Sequence, residues 1–428
     1  MRGMGARYQA LRGTRDILPE EVGVWHRLEA ATQEVFARYG FREVRTPIFE
    51  ATELFARSVG SSTDIVRKEM YTFQSGDESV TLRPENTAPV VRAFVEHALH
   101  RTIAAGYPER LYYLGPMFRH ERPQKGRQRQ FHQIGAEVLG AAEPLADAET
   151  IEMVWSLLGA LGIDDRELQL NTVGDAVCRP RYREALTRWL APKLPAMCDD
   201  CKRRAVENPL RVFDCKVEAD RKMLEEAPTL AQSLCDPCAA HFAAVRQTLD
   251  AFAIPYVVDE RLVRGLDYYQ RTVFEVVARG LGAQNALLGG GRYDGLVEEL
   301  GGPAIPGFGF AAGMERLVLV MNKAAGDARG SDLLIVALGE AGFKGAIGLA
   351  RSLRAKGLRV ALPLTERPLG AQMKRAERLG ARFALFVGAN ELAAGRFGLK
   401  DLSSGVQFEV DEAGIGPAVT TGGNGHGR

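Results

Sequence analysis

The sequence predicts an α/β protein in two parts. Residues 1–325 are expected to form an α+β unit on a mixed, mainly antiparallel sheet with an insertion at about 173–235, and residues 331–417 a small α/β domain with a largely parallel sheet. Three observations carry this expectation. Strand-like runs before residue 310 cluster with long loops between them, instead of alternating regularly with helices. From about residue 171 to 234 the chain gains charge and loses strand signal. After Lys323, short apolar runs alternate with helical ones, the pattern of parallel strands joined by crossover helices.

The first element is a helix over 19–39. Val22, Trp25, Leu28, Val35, Phe36 and Tyr39 fall on or near one face, and Gly40 supplies a stop. A short strand over 41–46 ends at Pro47. Residues 110–118 and 131–139 read as two strands joined by a polar loop, 119–130, that carries five Lys or Arg residues. Further strands are expected at 256–259 and 272–278, then a Gly-rich turn at 289–293, then a segment 307–310 leading into a helix near Gly313. The turn lacks the Lys-Ser/Thr and strand-to-helix spacing of a Walker loop, so close packing explains it better. In the second part, strands at 332–338, 358–362 and 383–387 are separated by helices at 345–356 and 369–379. Residues 324–330 read as the linker, and the Gly-rich end, 418–428, as a disordered tail.

Bulk properties narrow the function. At 428 residues the chain exceeds what one hydrophobic core supports. Its 25% charged residues nearly cancel to +1, so no global basic field advertises a nucleic-acid partner and any such partner needs local patches. Residues 344–382 form one patch, with ten Lys or Arg against two Glu. No apolar run approaches the ~20 residues of a membrane span, and the start lacks a signal-peptide core. A cytoplasmic protein without a membrane partner is expected. Six cysteines are too few for a disulfide scaffold. Cys198-Asp-Asp-Cys201 and Cys235-Asp-Pro-Cys238 have the gap that lets two sulfurs reach one tetrahedral metal, so a structural Zn²⁺ on these four is one reading. The other is a pair of reduced surface turns, because the 33 residues between the inner cysteines exceed the usual ribbon spacing.

The hairpin carries the chemistry. Strand periodicity puts Gln133, Gly135 and Glu137 on one face and Ile134, Ala136 and Val138 on the other. If the second face is core, the first is free to bind a small ligand bearing an amine or imidazole, with Gly135 leaving space. Arg119, at the end of the first strand, is a rigid point from which to aim a guanidinium at phosphate.

As a string, Phe118-Arg119-His120-Glu121 followed by Arg127, Phe131, Gln133 and Glu137 resembles motif 2 of the class II aminoacyl-tRNA synthetases in its histidyl form. The other motifs follow in that family's order. Gly40-Phe41 through Thr46-Pro47 resembles motif 1, Arg83-Pro-Glu-Asn-Thr87 the amino-acid loop, and Gly309-Phe-Ala-Ala-Gly-Met-Glu-Arg316 motif 3. Leu262-Val-Arg-Gly-Leu-Asp-Tyr-Tyr269 and Leu288-Gly-Gly-Gly-Arg-Tyr-Asp294 resemble two segments peculiar to histidyl enzymes. Asn86 stands where the bacterial family commonly has Gly, a place where a positive φ could be demanded.

The resemblance implies a class II catalytic domain, an anticodon-binding C-terminal domain and a homodimer packed through motif 1. It implies a ligase that makes histidyl-adenylate from histidine and ATP, with Mg²⁺, and charges tRNA(His). Arg119 and Arg264 would hold the α-phosphate and carboxylate as catalytic groups. Glu121 would accept from the adenine amine, Phe131 and Arg316 sandwich the ring, and Arg127 reach the terminal phosphates. Glu85, Thr87 and Gln133 would surround the amino group, with Asn86 also among the histidine-binding residues, while Glu137 with Tyr268 or Tyr269 reads the imidazole. Gln124 and Arg127 would meet the tRNA acceptor end. The rival is a synthetase-like subunit that senses histidine without catalysis; such proteins typically lack the C-terminal domain and lose catalytic arginines that are present here.

Overall fold

The computed structural model describes residues 8–421 except 61–62, 64, 102, 104–106, 124–125, 280–284 and 322–329. Most of the expected linker and residues 422–428 therefore lie outside the described residues. Two compact units emerge, one of Met1–Ile17 with Trp25–Lys323 and one of Leu18–Val24 with Ala324–Arg428. Among the described residues no helix is long and apolar enough to cross a membrane.

The first helix, Pro19–Arg38, starts on a proline with Glu20 and Glu21 in its first turn and buries Trp25, Leu28, Val35 and Phe36 on one face. Gly40 then adopts φ +75°, the left-handed stop that its missing Cβ permits. Strand β1 (Arg42–Glu43) is shorter than expected, because Thr46 is drawn off to bond Asn86 and Arg83. Strands β2 (Phe49–Ala51), β3 (Tyr71–Ser75) and β4 (Glu78–Leu82) make a small antiparallel sheet.

The large sheet continues with β5 (Glu109–Phe118) and β6 (Gln130–Leu139), the expected hairpin. It adds β7 (Arg166–Thr172), β8 (Tyr256–Val258), β9 (Gln270–Ala278), β10 (Ala286–Arg292) and β11 (Gly307–Gly313). Their order is β1-β5-β6-β11-β10-β9-β7-β8. Only the outer pairs β1–β5 and β7–β8 are parallel, so the mixed, mainly antiparallel sheet stands as predicted.

The Gly289–Gly291 run is not a turn. It lies inside β10, between β9 and β11, and a Cβ on Gly290 would collide with the Gly309 carbonyl and Phe310. Glycine serves there for close strand approach, with no left-handed φ demanded. At the end of β10, Arg292 is fully buried against Asp147 of helix Pro144–Ala160.

Between β7 and β8 the insertion builds its own small core. Helices Arg179–Leu190, Asp199–Glu207 and Glu218–Leu224 bring together Tyr182, Leu186, Leu190, Val212 and Leu224, with Cys201 and Cys215 among them.

The second unit holds β12 (Leu333–Ala337), β13 (Val360–Ala361), β14 (Phe383–Val387), β15 (Arg396–Asp401) and β16 (Gln407–Asp411) in the order β13-β12-β14-β15-β16. The first three are parallel as expected; β15 and β16 form an antiparallel hairpin beside them, which makes the sheet mixed rather than largely parallel. Residues 418–421 do not belong to a tail, because they complete helix Glu412–Thr421, whose Ile415 and Val419 pack into this unit's core.

Candidate active site

The β5–β6 hairpin positions the first arginine. Arg119 follows directly on β5, and its N–H continues the ladder to the Arg129 carbonyl at 2.9 Å. Its Nε donates to the Pro84 carbonyl at 2.8 Å, and its guanidinium lies 5.3 Å from the Phe131 ring centre. Arg264 lies over Gly289, where any Cβ would strike the guanidinium, and donates to Glu275 of β9. Arg316, in helix Met314–Val320, donates to the Ala286 and Gly126 carbonyls.

These three guanidiniums line one cleft of about 380 Å³, together with Glu121, Arg127, Phe131, Gln133, Glu275 and Gly289. Residues distant in the chain thus converge as the sequence reading required. The cleft's charges are partly paired internally: Arg127 donates to Glu121 at 2.9 Å, and Arg264 faces Glu275. Burial, with Arg127 nearby, lowers the pKa of Arg316. Four guanidiniums against three carboxylates, Glu121, Glu275 and Glu315, leave a net positive charge that suits an anion. Gln124 lies outside the described residues.

Behind the cleft, Gln133 and Glu137 share a face of β6, four residues or roughly 13 Å apart. Glu137 is fully buried and accepts from Thr87 Oγ1 at 2.7 Å and from Tyr293 Oη. The tyrosine hydroxyl bound to Glu137 is therefore that of Tyr293. Tyr268 and Tyr269 stand next to it, with Tyr268 ring centres 4.8 Å from Tyr269 and 5.6 Å from Tyr293. Two buried polar atoms here, Tyr113 Oη and Gln133 Oε1, meet no protein partner, which fits a site whose ligand supplies the missing hydrogen bonds.

Glu85 is buried and accepts the Thr87 and Ala88 N–H groups at 2.8 and 3.1 Å, capping helix Thr87–Glu96. Asn86 has φ −126°, so the positive φ that this position could have demanded is absent. Its Oδ1 instead accepts from Thr46 Oγ1 at 2.7 Å and Arg83 Nη1 at 3.1 Å, contacts that glycine could not make.

Burial raises the Glu137 pKa from 4.5 to about 8, while Tyr293 and Thr87 oppose the rise and Glu85 adds to it. The folded chain therefore holds this proton more tightly than the unfolded chain. Its contribution to stability is fully present below pH 4.5 and is lost as pH rises through about 8. Urea midpoints of the unliganded protein should fall across that window more steeply for the parent than for Glu137→Gln; parallel curves contradict the assignment.

Sequence reading missed four residues. Tyr293 was visible only as part of a motif; Glu275 carried a usable signal, being the one acid in an apolar strand. Arg83, like Tyr293, stood in a quoted motif without a role, and Tyr113 gave no signal, since its role depends on burial against distant strands. The four motif cysteines do not converge. Cys198 and Cys201 group with Cys215 and Asp220, whereas Cys235 and Cys238 group with Cys178 and Asp175. The single four-cysteine site is therefore wrong, because helix Asp199–Glu207 and helix Asp236–Ala251 start in different parts of the insertion.

Residues 13–317 match the family model described as histidyl-tRNA synthetase, and residues 332–419 that of an anticodon binding domain. The chain is 49% identical over 410 residues to a histidine–tRNA ligase of Syntrophotalea carbinolica, covering 96% of this chain and 97% of that one. It is 51% identical over 408 residues to one of Moorella thermoacetica, covering 94% and 96%. Its fold is similar to an apo S. aureus histidyl-tRNA synthetase, with TM-score 0.81, 36% identity, and coverage of 96% and 100%.

Proposed function

This chain belongs to the histidyl-tRNA synthetase family, and from that premise we propose how its cleft activates histidine with ATP and delivers it to tRNA(His). A histidine carboxylate oxygen attacks the α-phosphorus in line and pyrophosphate leaves; the terminal adenosine hydroxyl of tRNA then attacks the carbonyl carbon and AMP leaves. Both steps gather negative charge on oxygens, so fixed cations and positioning do the catalysis. The observation that carries this reading is the convergence of Arg119, Arg264 and Arg316 on one cleft that Gln133 also lines, with buried Glu137 four residues further along the same strand.

Arg119 and Arg264 hold the α-phosphate and carboxylate, since a guanidinium stays protonated and offers forked donors. Phe131 and Arg316 enclose the adenine. For Glu121 to accept the adenine amine and Arg127 to meet the terminal phosphates, their mutual ion pair opens. Its arginine is 36% exposed, so that costs on the order of 1 kcal/mol or less. The family typically uses Mg²⁺. Glu121, Glu275 and Glu315 are the carboxylates of the cleft that would hold such an ion, which would supply charge neutralisation there.

Glu85, Thr87 and Gln133 lie toward the amino group, and Glu137, held by Tyr293, reads the imidazole with Tyr268 and Tyr269 alongside. Glu137→Gln should raise the KM for histidine about tenfold while moving that for ATP little, as expected for a lost buried hydrogen bond to the imidazole. Equal losses for both substrates refute the contact. ATP–pyrophosphate exchange with each amino acid in turn tests the whole reading: histidine alone should support it, and no exchange favours a histidine-sensing regulator.

For tRNA, Arg127 faces the acceptor end. Arg351, Lys356, Lys374, Arg375 and Arg378 are exposed on the second unit, where they are available to phosphates. A homodimer is part of the proposal: Phe49 and Phe73 are 59% and 48% exposed on one face of the small sheet, an apolar surface near motif 1 that a second copy would cover. We assign the chain to the cytoplasm, with its tRNA.

A further inference from the structure

We propose that the insertion holds two separate zinc ions, each on three cysteines and one aspartate, and that the pair braces the segment carrying Arg264, Tyr268 and Tyr269. All six cysteines of the chain are used, three per cluster. One cluster is Asp175, Cys178, Cys235 and Cys238; the other is Cys198, Cys201, Cys215 and Asp220. In each, the four ligand atoms lie within 4.8 Å of one another.

The separations match a metal and not a disulfide. A tetrahedral ion with metal–sulfur bonds of about 2.3 Å puts sulfurs about 3.8 Å apart, and sulfur and carboxylate oxygen about 3.6 Å apart. Cys178 and Cys235 sulfurs are 3.6 Å apart and those of Cys198 and Cys215 3.8 Å. Asp175 Oδ1 is 3.2 Å from Cys178 Sγ and 3.9 Å from Cys235 Sγ, and Asp220 Oδ2 is 3.4 Å from Cys215 Sγ. A disulfide needs about 2.05 Å, and all six cysteines are free.

Charge gives a second, independent reason. Asp220 is 3% exposed within the insertion's apolar core, beside Cys201 and Cys215. Among the described residues it meets the Cys198 N–H and cluster thiols but no guanidinium or ammonium group. A carboxylate buried in that way calls for a cation. Three soft thiolates with one oxygen in tetrahedral array select zinc over magnesium or calcium. Binding would release the thiol protons to solvent, up to three per ion. Each Cys-X-X-Cys pair also begins a helix, where Cys198 and Cys235 are the N-cap residues and the exposed N–H groups favour thiolate.

Both clusters are tied to the same stretch of chain. Next to Cys178, Arg179 donates to the Tyr269 carbonyl, while Arg271 lies 3.8 Å from Asp175. Ahead of Cys215, Asn208 and Arg211 bond Asp267 at 3.2 and 2.9 Å, and Arg211 also bonds the Gly265 carbonyl at 2.9 Å. Residues 265–271 are thereby held from both sides.

Elemental analysis of the purified full chain, with zinc release by an organomercurial, should give two zinc per chain. Cys178→Ser and Cys215→Ser should each retain one, and Asp220→Asn, which keeps every thiol, should lose one equivalent faster to a chelator. Cobalt substitution of the parent protein should give thiolate-to-metal bands for two ions, a readout independent of whether a variant folds. On stripping, hydrogen exchange should rise at 265–271 and fall again on adding zinc. No zinc in the folded parent, one zinc abolished by either cysteine variant, or missing thiols on titration in denaturant would overturn the two sites. Two zinc ions with unchanged exchange at 265–271 would overturn the bracing.

Discussion

Replacing Arg264 with alanine is expected to cut histidine-dependent ATP–pyrophosphate exchange by a factor on the order of 100 to 1,000, mainly in kcat. That is the loss seen on removing one preorganised donor aimed at developing charge. The expectation rests on geometry: Arg264 lies over a glycine that leaves it room, is steadied by Glu275, and lines the cleft of Arg119 and Arg316. Truncation also frees the Glu275 carboxylate, which would repel a nucleotide. Arg264→Ala combined with Glu275→Gln separates the two effects. If the guanidinium itself stabilises the transition state, the double variant stays as slow as the single; recovery to near-parental exchange would reduce Arg264 to a screen for Glu275.

Asp147→Ala should cost about 3 kcal/mol of stability, because it leaves a fully buried guanidinium with Asp294 as its remaining carboxylate partner among the described residues. Arg292 and Asp147 are both at 0% exposure. Burial opposes the charge on Arg292, but Asp147 and Asp294 outweigh it and raise its pKa. Arg292 also donates to the Ala141 carbonyl at 2.9 Å, and Asp147 Oδ2 is 2.9 Å from His241 Nε2. The network fastens the end of β10 to helix Pro144–Ala160, directly before Tyr293. Urea unfolding measures the loss, and Asp147→Leu with Arg292→Met should recover most of it, since an apolar pair of similar volume carries no desolvation penalty. A single-variant loss under about 1 kcal/mol contradicts the account. The histidine KM should rise as well, because Tyr293 orients Glu137.

Local periodicity located the first helix, the β5–β6 hairpin and the inner strands of the second unit, because each pattern is set by neighbours in the chain. It failed where distant chain decides. Gly289–Gly291 reads as a turn by composition, yet the collision that demands glycine comes from Gly309 and Phe310 on the adjacent strand. Likewise Asn86 stands where a positive φ could be demanded, yet its φ is −126° and its side chain is used to bond Thr46 and Arg83.

By itself, the sequence determined the order of the motifs, the family they belong to, and the residue types able to hold phosphate, carboxylate and imidazole. Only the tertiary structure decided which groups meet: that Tyr293 bonds Glu137, that Arg264 faces Glu275, and that the cysteines divide into two clusters instead of one. The reason is physical. Side-chain chemistry is a property of single residues, but hydrogen bonds, ion pairs and metal coordination depend on separations of a few ångströms, which only long-range packing sets.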